Sequence, residues 1–204
     1  ACMLPNGKVL VMTSPGLFNA GVVFFEFDGT KFTKVPSTPN APFQPSFVGN
    51  MLTLPTGEIM LTDQSRDVMI YQPTGKPNSA WAPTITSAPS LVKPGQTYKI
   101  TGTQFTGLSG GSSYGDDQQN ETNYPMVRVT NKASGHVVYC KVTNVSTRAI
   151  ATGSLPVSAD FTLPATLEPG TSTLEVVTNG IPSAPFTIST QPTSQATSVS
   201  AYTG

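Results

Sequence analysis

Two stretches of the chain carry one order of apolar, turn and polar positions. Leu4-Pro5-Asn6-Gly7-Lys8-Val9-Leu10-Val11-Met12-Thr13 is followed, fifty residues on, by Leu54-Pro55-Thr56-Gly57-Glu58-Ile59-Met60-Leu61-Thr62-Asp63. Each predicts a strand, a Pro-x-Gly hairpin turn and a second strand whose aliphatic run is short enough to be buried on both faces. A third strand follows in both copies, in residues 22–29 and 68–75. The pattern describes small antiparallel sheets that repeat along the chain.

The texture changes at Asn78. Beyond Ala82-Pro83-Thr84-Ile85, short runs of alternating polarity predict strands at 97–101, 126–130, 136–143, 149–152, 160–163, 172–178 and 184–188. Turn signals separate them, among them Lys93-Pro94-Gly95, Glu168-Pro169-Gly170 and Asn179-Gly180. Seven short strands in about 110 residues predict an immunoglobulin-like β-sandwich. No window has the 3.6-residue apolar period and end caps of a helix, so almost no helix is expected. The expected division is 1–77, 78–190 and a Ser/Thr-rich tail or linker at 191–204.

A fifty-residue spacing with several strands per unit is the blade period of a kelch-type β-propeller. Further residues carry a resemblance. The Leu-Pro-x-Gly units, Tyr71-Gln72-Pro73-Thr74-Gly75, Trp81-Ala82-Pro83-Thr84-Ile85 and the loop from Tyr114-Gly115-Asp116-Asp117 to Asn123-Tyr124-Pro125 are together similar to the C-terminal part of secreted kelch-repeat proteins of the galactose-oxidase-like architecture. The resemblance spans about residues 3–190. It implies a partial propeller of about two blades followed by an immunoglobulin-like domain packed against it, with the other blades missing from this chain. The copper radical oxidases of that architecture use a Tyr crosslinked to Cys, a second Tyr followed by a copper-ligating His, and a further His from the C-terminal domain. Here Tyr71 is followed by Gln72, and His136 is the single histidine.

Composition narrows the function classes. Eleven basic and eleven acidic side chains leave no net charge, and only 11% of residues are charged, against about 25% in ordinary soluble domains. Without a Lys/Arg cluster the chain lacks the electrostatic footprint of nucleic-acid or anionic-lipid binding. The longest apolar stretch, Val22 to Phe25, is broken by Glu26, far short of a membrane span, so no membrane insertion is expected. Any signal peptide is expected to have been removed or to lie upstream of Ala1.

One His and two Cys leave little catalytic equipment. Cys2 and Cys140 are candidates for one disulfide or for separate buried thiols. Gly107-Leu108-Ser109-Gly110-Gly111 matches G-x-S-x-G, but the strand-to-helix turn that gives that motif its chemistry is not expected here. Asp116, Asp117 and Glu121, with Asn120 and Asn123, form the densest oxygen-rich cluster and are the candidate calcium ligands. Asn120 and Asn144 open N-x-[ST] sequons, the glycosylation candidates. Tyr114, Tyr124 and Trp81 are aromatic candidates for stacking on sugars, with Trp81 best suited to a domain junction.

These readings lead to an extracellular, secreted or cell-surface module, non-catalytic, serving structure, adhesion or glycan recognition. Its expected partners are the remaining propeller blades or neighbouring subunits, and glycans. Two alternatives stand beside it: the C-terminal piece of a copper radical oxidase acting on an alcohol, aldehyde or sugar, and a subunit of an extracellular fibre or surface layer.

Overall fold

The computed structural model describes residues 1–114 and 118–192, with the side chains of 112–114 and 118–120 left aside. The protein is all-β, and its helical content among these residues is confined to short 3₁₀ turns such as Ala41–Phe43, Ser46–Val48 and Ser79–Trp81. The first half supplies β1 (Cys2–Met3), β2 (Val9–Thr13), β3 (Val23–Phe27), β4 (Phe32–Val35), β5 (Asn50–Thr53), β6 (Ile59–Thr62) and β7 (Val68–Tyr71). The second half supplies β8 (Thr84–Ser87), β9 (Leu91–Val92), β10 (Thr97–Thr103), β11 (Gly111–Tyr114), β12 (Gln118–Glu121), β13 (Met126–Asn131), β14 (Val137–Thr143), β15 (Val157–Thr162), β16 (Gly170–Thr178), β17 (Ile181–Pro182) and β18 (Phe186–Thr190).

The repeat seen in the sequence is a repeat in space. In the first copy Leu4 N–H donates to the Lys8 carbonyl and Gly7 N–H to the Leu4 carbonyl, both at 2.9 Å. In the second copy Leu54 donates to Glu58 and Gly57 to Leu54, at 2.8 and 2.9 Å. Gly7 and Gly57 hold φ of 88° and 87°, the left-handed position that closes a three-residue hairpin loop and that glycine adopts without penalty.

The strands β5-β6-β7 form one antiparallel sheet, and β1-β2-β3-β4 form the core of another. They face each other across a cluster that includes Cys2, Leu4, Leu10, Phe24, Met51, Ile59 and Leu61. Burial alternates along β3, β5 and β6, so each sheet turns an apolar, only partly covered face away from the cluster. Val68 and Ile70 are 61% and 48% exposed on β7, while the exposed Phe32 of β4 stacks on Phe27 and meets Phe25 edge-on. The continuous apolar runs of the sequence are thus buried on one side only.

The second half forms a curled half-barrel sheet in the order β8-β10-β15-β14-β13-β16-β18-β9, with β17 paired to β16. Strand β14 makes the bend: Val137 to Cys140 pair with β13, and Lys141 to Thr143 pair with β15. A single core fills the curl, built from Ile100, Phe105, Val127, Val129, Phe161, Leu174, Val176 and Ile188, most of them wholly buried.

Beyond added strands such as β4 and β9, two features differ from the sequence expectation. Residues 149–152 form no strand: Ala151 sits at φ 53° and donates its N–H to the Gly107 carbonyl, which takes the segment out of any ladder. The hairpin β11–β12, unanticipated because its residues are polar and glycine-rich, leaves the second half and extends the first sheet, giving the order β12-β11-β1-β2-β3-β4. Cys2 pairs with Ser112 in that register.

Candidate functional site

The hairpin leaves the second half through a clasp made by Asn179, which holds φ 51° at the β16–β17 turn. Its backbone N–H donates to the Thr122 carbonyl at 2.9 Å, its side-chain oxygen accepts from the Thr122 hydroxyl at 2.9 Å, and its amide nitrogen donates to the Ser109 carbonyl at 3.0 Å. Thr122 N–H in turn closes on the Gly110 carbonyl. One amide side chain therefore ties both legs of the hairpin to the curled sheet. Ser109, the serine of the G-x-S-x-G match, lies in this clasp, and the motif runs into strand β11 rather than a helix. The nucleophile-elbow context is absent.

Beside the clasp lies a hollow of about 480 Å³, within the roughly 300–1,000 Å³ range of small-molecule sites. It is lined by Glu121, Asn123 and Tyr124, at the end of β12 and just after it, and by Thr147, Arg148 and Ile150 from the segment after β14. The Tyr124 hydroxyl donates to the Val142 carbonyl at 3.2 Å, which pins the ring while leaving it 48% exposed. The 145–150 wall is held by Ser146, whose N–H donates to the Ser158 carbonyl and whose hydroxyl accepts from Ser158 N–H, and by Ala151 on Gly107. Arg148 and Glu121 are exposed, and among the described residues neither forms an ion pair.

Of the candidate calcium ligands, Asp116 and Asp117 lie outside the described residues, as does the Asn120 side chain, and Glu121 lines the hollow. The described residues contain no group of three or more His, Cys, Asp or Glu able to hold a metal ion. Asn144 is exposed at φ 52° and its amide donates to Asp160 at 2.8 Å. Cys2 and Cys140 are buried in separate clusters, so the bridge that is one of the two sequence expectations is not formed. The donor set does not fit copper: His136 is on the surface with its Nδ1 2.7 Å from Glu168, Cys140 is in the core, and the Tyr71 phenol is engaged by a carboxylate.

That carboxylate, Glu26, was not foreseen as a site residue. It is 5% exposed between the two small sheets, 2.6 Å from the Lys8 ammonium and 2.6 Å from the Tyr71 hydroxyl. Burial pushes its pKa up, but the hydrogen bonds from Lys8 and Tyr71 outweigh burial and hold it below the ordinary value. Burial and the same carboxylate push the Tyr71 phenol well above its usual range. The signal was available: Glu26 is two residues from Phe24 in an alternating strand, on the buried face. A charge fixed in this way is a structural pin rather than a proton donor or acceptor.

Trp81 lies against the first Pro-x-Gly turn. Its ring covers Gly7, where any Cβ would overlap it, and it lines a small hollow with Met3, Pro5, Leu108, Asn179 and Ile181. Nearby, a Cβ on Gly180 would stand 2.8 Å from the Gly57 backbone, so the second Pro-x-Gly turn rests directly on the β16–β17 turn. Compared with protein-family models and with curated proteins, the chain matches none.

Proposed function

We propose that the chain is a non-catalytic extracellular module, two blades of a kelch-like β-propeller joined to an immunoglobulin-like sandwich, that serves structure, adhesion or glycan recognition. The observation that carries this reading is the pair of open apolar faces on the two small sheets. A propeller blade buries both faces against neighbours, and here exposed Phe32 beside half-buried Phe25 and Phe27 on one side, and exposed Val68 and Ile70 on the other, face away from the shared core. At about 25 cal/mol per Å² of apolar surface, several hundred Å² left in water forgoes on the order of ten kcal/mol, comparable to a whole domain's stability. Further blades are the cover this reading assigns to those faces. The recurring turn geometry at Gly7 and Gly57 supports equivalent units, and the shared strand β14 supports a sandwich for the second half. The exposed Asn144 sequon agrees with an extracellular setting.

Sedimentation of the isolated chain tests the reading. Self-association, together with binding of a hydrophobic dye that Phe32→Lys and Ile70→Lys reduce, is the expected result. A monodisperse monomer that binds no dye overturns it.

A further inference from the structure

From the hollow beside the hairpin clasp we infer a binding site for a neutral saccharide, with the Tyr124 ring as its platform and Arg148, Glu121 and Asn123 as partners for its hydroxyls. The inference deepens the glycan arm of the proposed function and rests on that reading of the chain as a recognition module. It uses none of the claims about ring closure.

A pyranose presents two chemistries at once: an apolar face of C–H groups and a rim of vicinal hydroxyls that both donate and accept. A site for it needs an exposed aromatic face and a few planar polar groups around that face. Tyr124 supplies the first, half-exposed yet fixed by its hydroxyl on the Val142 carbonyl. Ile150, 46% exposed, and Val145 add apolar surface from the segment after β14. The guanidinium of Arg148 offers a fork of donors, the Glu121 carboxylate offers acceptors alone, and the Asn123 amide offers both. That set matches a hydroxyl rim.

The charges decide between ligand classes. One cation and one anion in the same hollow leave no net field to draw a phosphate or a polyanion, whereas each alone is a strong hydrogen-bonding partner for a neutral hydroxyl. Among the described residues neither is spent on an ion pair, so neither must break one to bind. The walls are ordered before binding. Ser146 is tied to Ser158, Ala151 to Gly107, and the Thr106 hydroxyl to the Ala149 carbonyl, which lowers the ordering cost that weak sugar binding can least tolerate.

The test is titration of the full chain with cello-, xylo-, manno-, malto- and galacto-oligosaccharides, followed by calorimetry and by amide shifts. At least one series is expected to bind with Kd between about 10 μM and about 1 mM. Tyr124→Ala and Arg148→Ala should each weaken that binding by about tenfold or more, and Tyr124→Phe, which keeps the platform, by less than about threefold. Arg148 is exposed, so its variant reads the site even where Tyr124→Ala loses stability. No binding in any series up to about 10 mM overturns the inference, as does binding that survives both alanine variants. A monomer in sedimentation with saccharide binding intact removes the propeller and leaves the site. Association without saccharide binding does the reverse.

Discussion

Glu26 is a carboxylate kept charged among apolar neighbours by two donors, and its protonation is coupled to folding. Its folded pKa lies below its unfolded value, so its stabilisation is present above the unfolded pKa and is lost as pH falls through the folded one. Denaturant midpoints should therefore drop as pH falls below the ordinary glutamate value of about 4.3, and Glu26→Gln should flatten that drop while costing about 1–3 kcal/mol at neutral pH. Cys140 gives a second residue-scale expectation. Burial pushes its thiol up to about 12, so almost no thiolate exists at neutral pH. Cys2 is 1% exposed, with its sulfur 3.2 Å from the Thr53 hydroxyl. A disulfide-exchange reagent at pH 8 should leave both unmodified in the native protein and titrate two thiols once denaturant is added. Rapid native labelling of Cys140 would contradict the placement of that thiol in the core.

At the scale of elements, the legible parts were those with strong local chemistry. The Pro-x-Gly turns and the β-branched runs beside them specify hairpins within a few residues, and both hairpins form where expected. The β11–β12 hairpin was invisible because polar, glycine-containing strands have no period that marks a buried face. Its position depends on Asn179, which is far away in sequence. Asn179→Ala removes the side-chain bonds to Thr122 and Ser109 and places alanine at φ 51°. We expect a loss of about 1–3 kcal/mol and faster hydrogen exchange at Gly111 to Tyr114 and at Cys2, with the β13–β16 pairing unaffected. Uniform loss of protection across the chain would show that the clasp is not local. Gly102 is the tight point of β10: a side chain there would collide with the Thr84 carbonyl and the Phe105 ring. Gly102→Ala should lower stability by about 1–3 kcal/mol in urea denaturation, the range of overpacked cores.

At the scale of the molecule, the two halves meet at approaches that only glycine permits, the Trp81 ring on Gly7 and the Gly180 backbone on Gly57, and through a hairpin contributed by one half to the sheet of the other. Folding of the halves should be coupled. Gly7→Ala adds a methyl under the Trp81 ring at a backbone angle of φ 88°, so calorimetry should show the transition broadening or splitting into two. An unchanged single transition would mean that the hairpin alone carries the coupling. The segment 82–190 expressed by itself should retain the core around Phe105 and Phe161 but leave β11 and β12 without β1, and hence rapidly exchanging.

Local sequence determined that this protein is all-β and where the two Pro-x-Gly hairpins turn, because turn geometry and strand-forming runs are short-range properties of the chain, whereas which face of each run is buried came from the tertiary packing. It also limited the chemistry, since one histidine and two cysteines hold whatever the fold. Tertiary structure alone decided that the cysteines lie in different cores, that Glu26 is paired by Lys8 and Tyr71, and that Tyr124 and Arg148 share one hollow. Those facts depend on contacts between residues tens of positions apart, and no local pattern encodes the direction in which a hairpin leaves its sheet. Arg148 could not be singled out in the sequence for that reason: its neighbours there carry no motif, and Glu121, Asn123 and Tyr124, which share the hollow, come from more than twenty residues earlier.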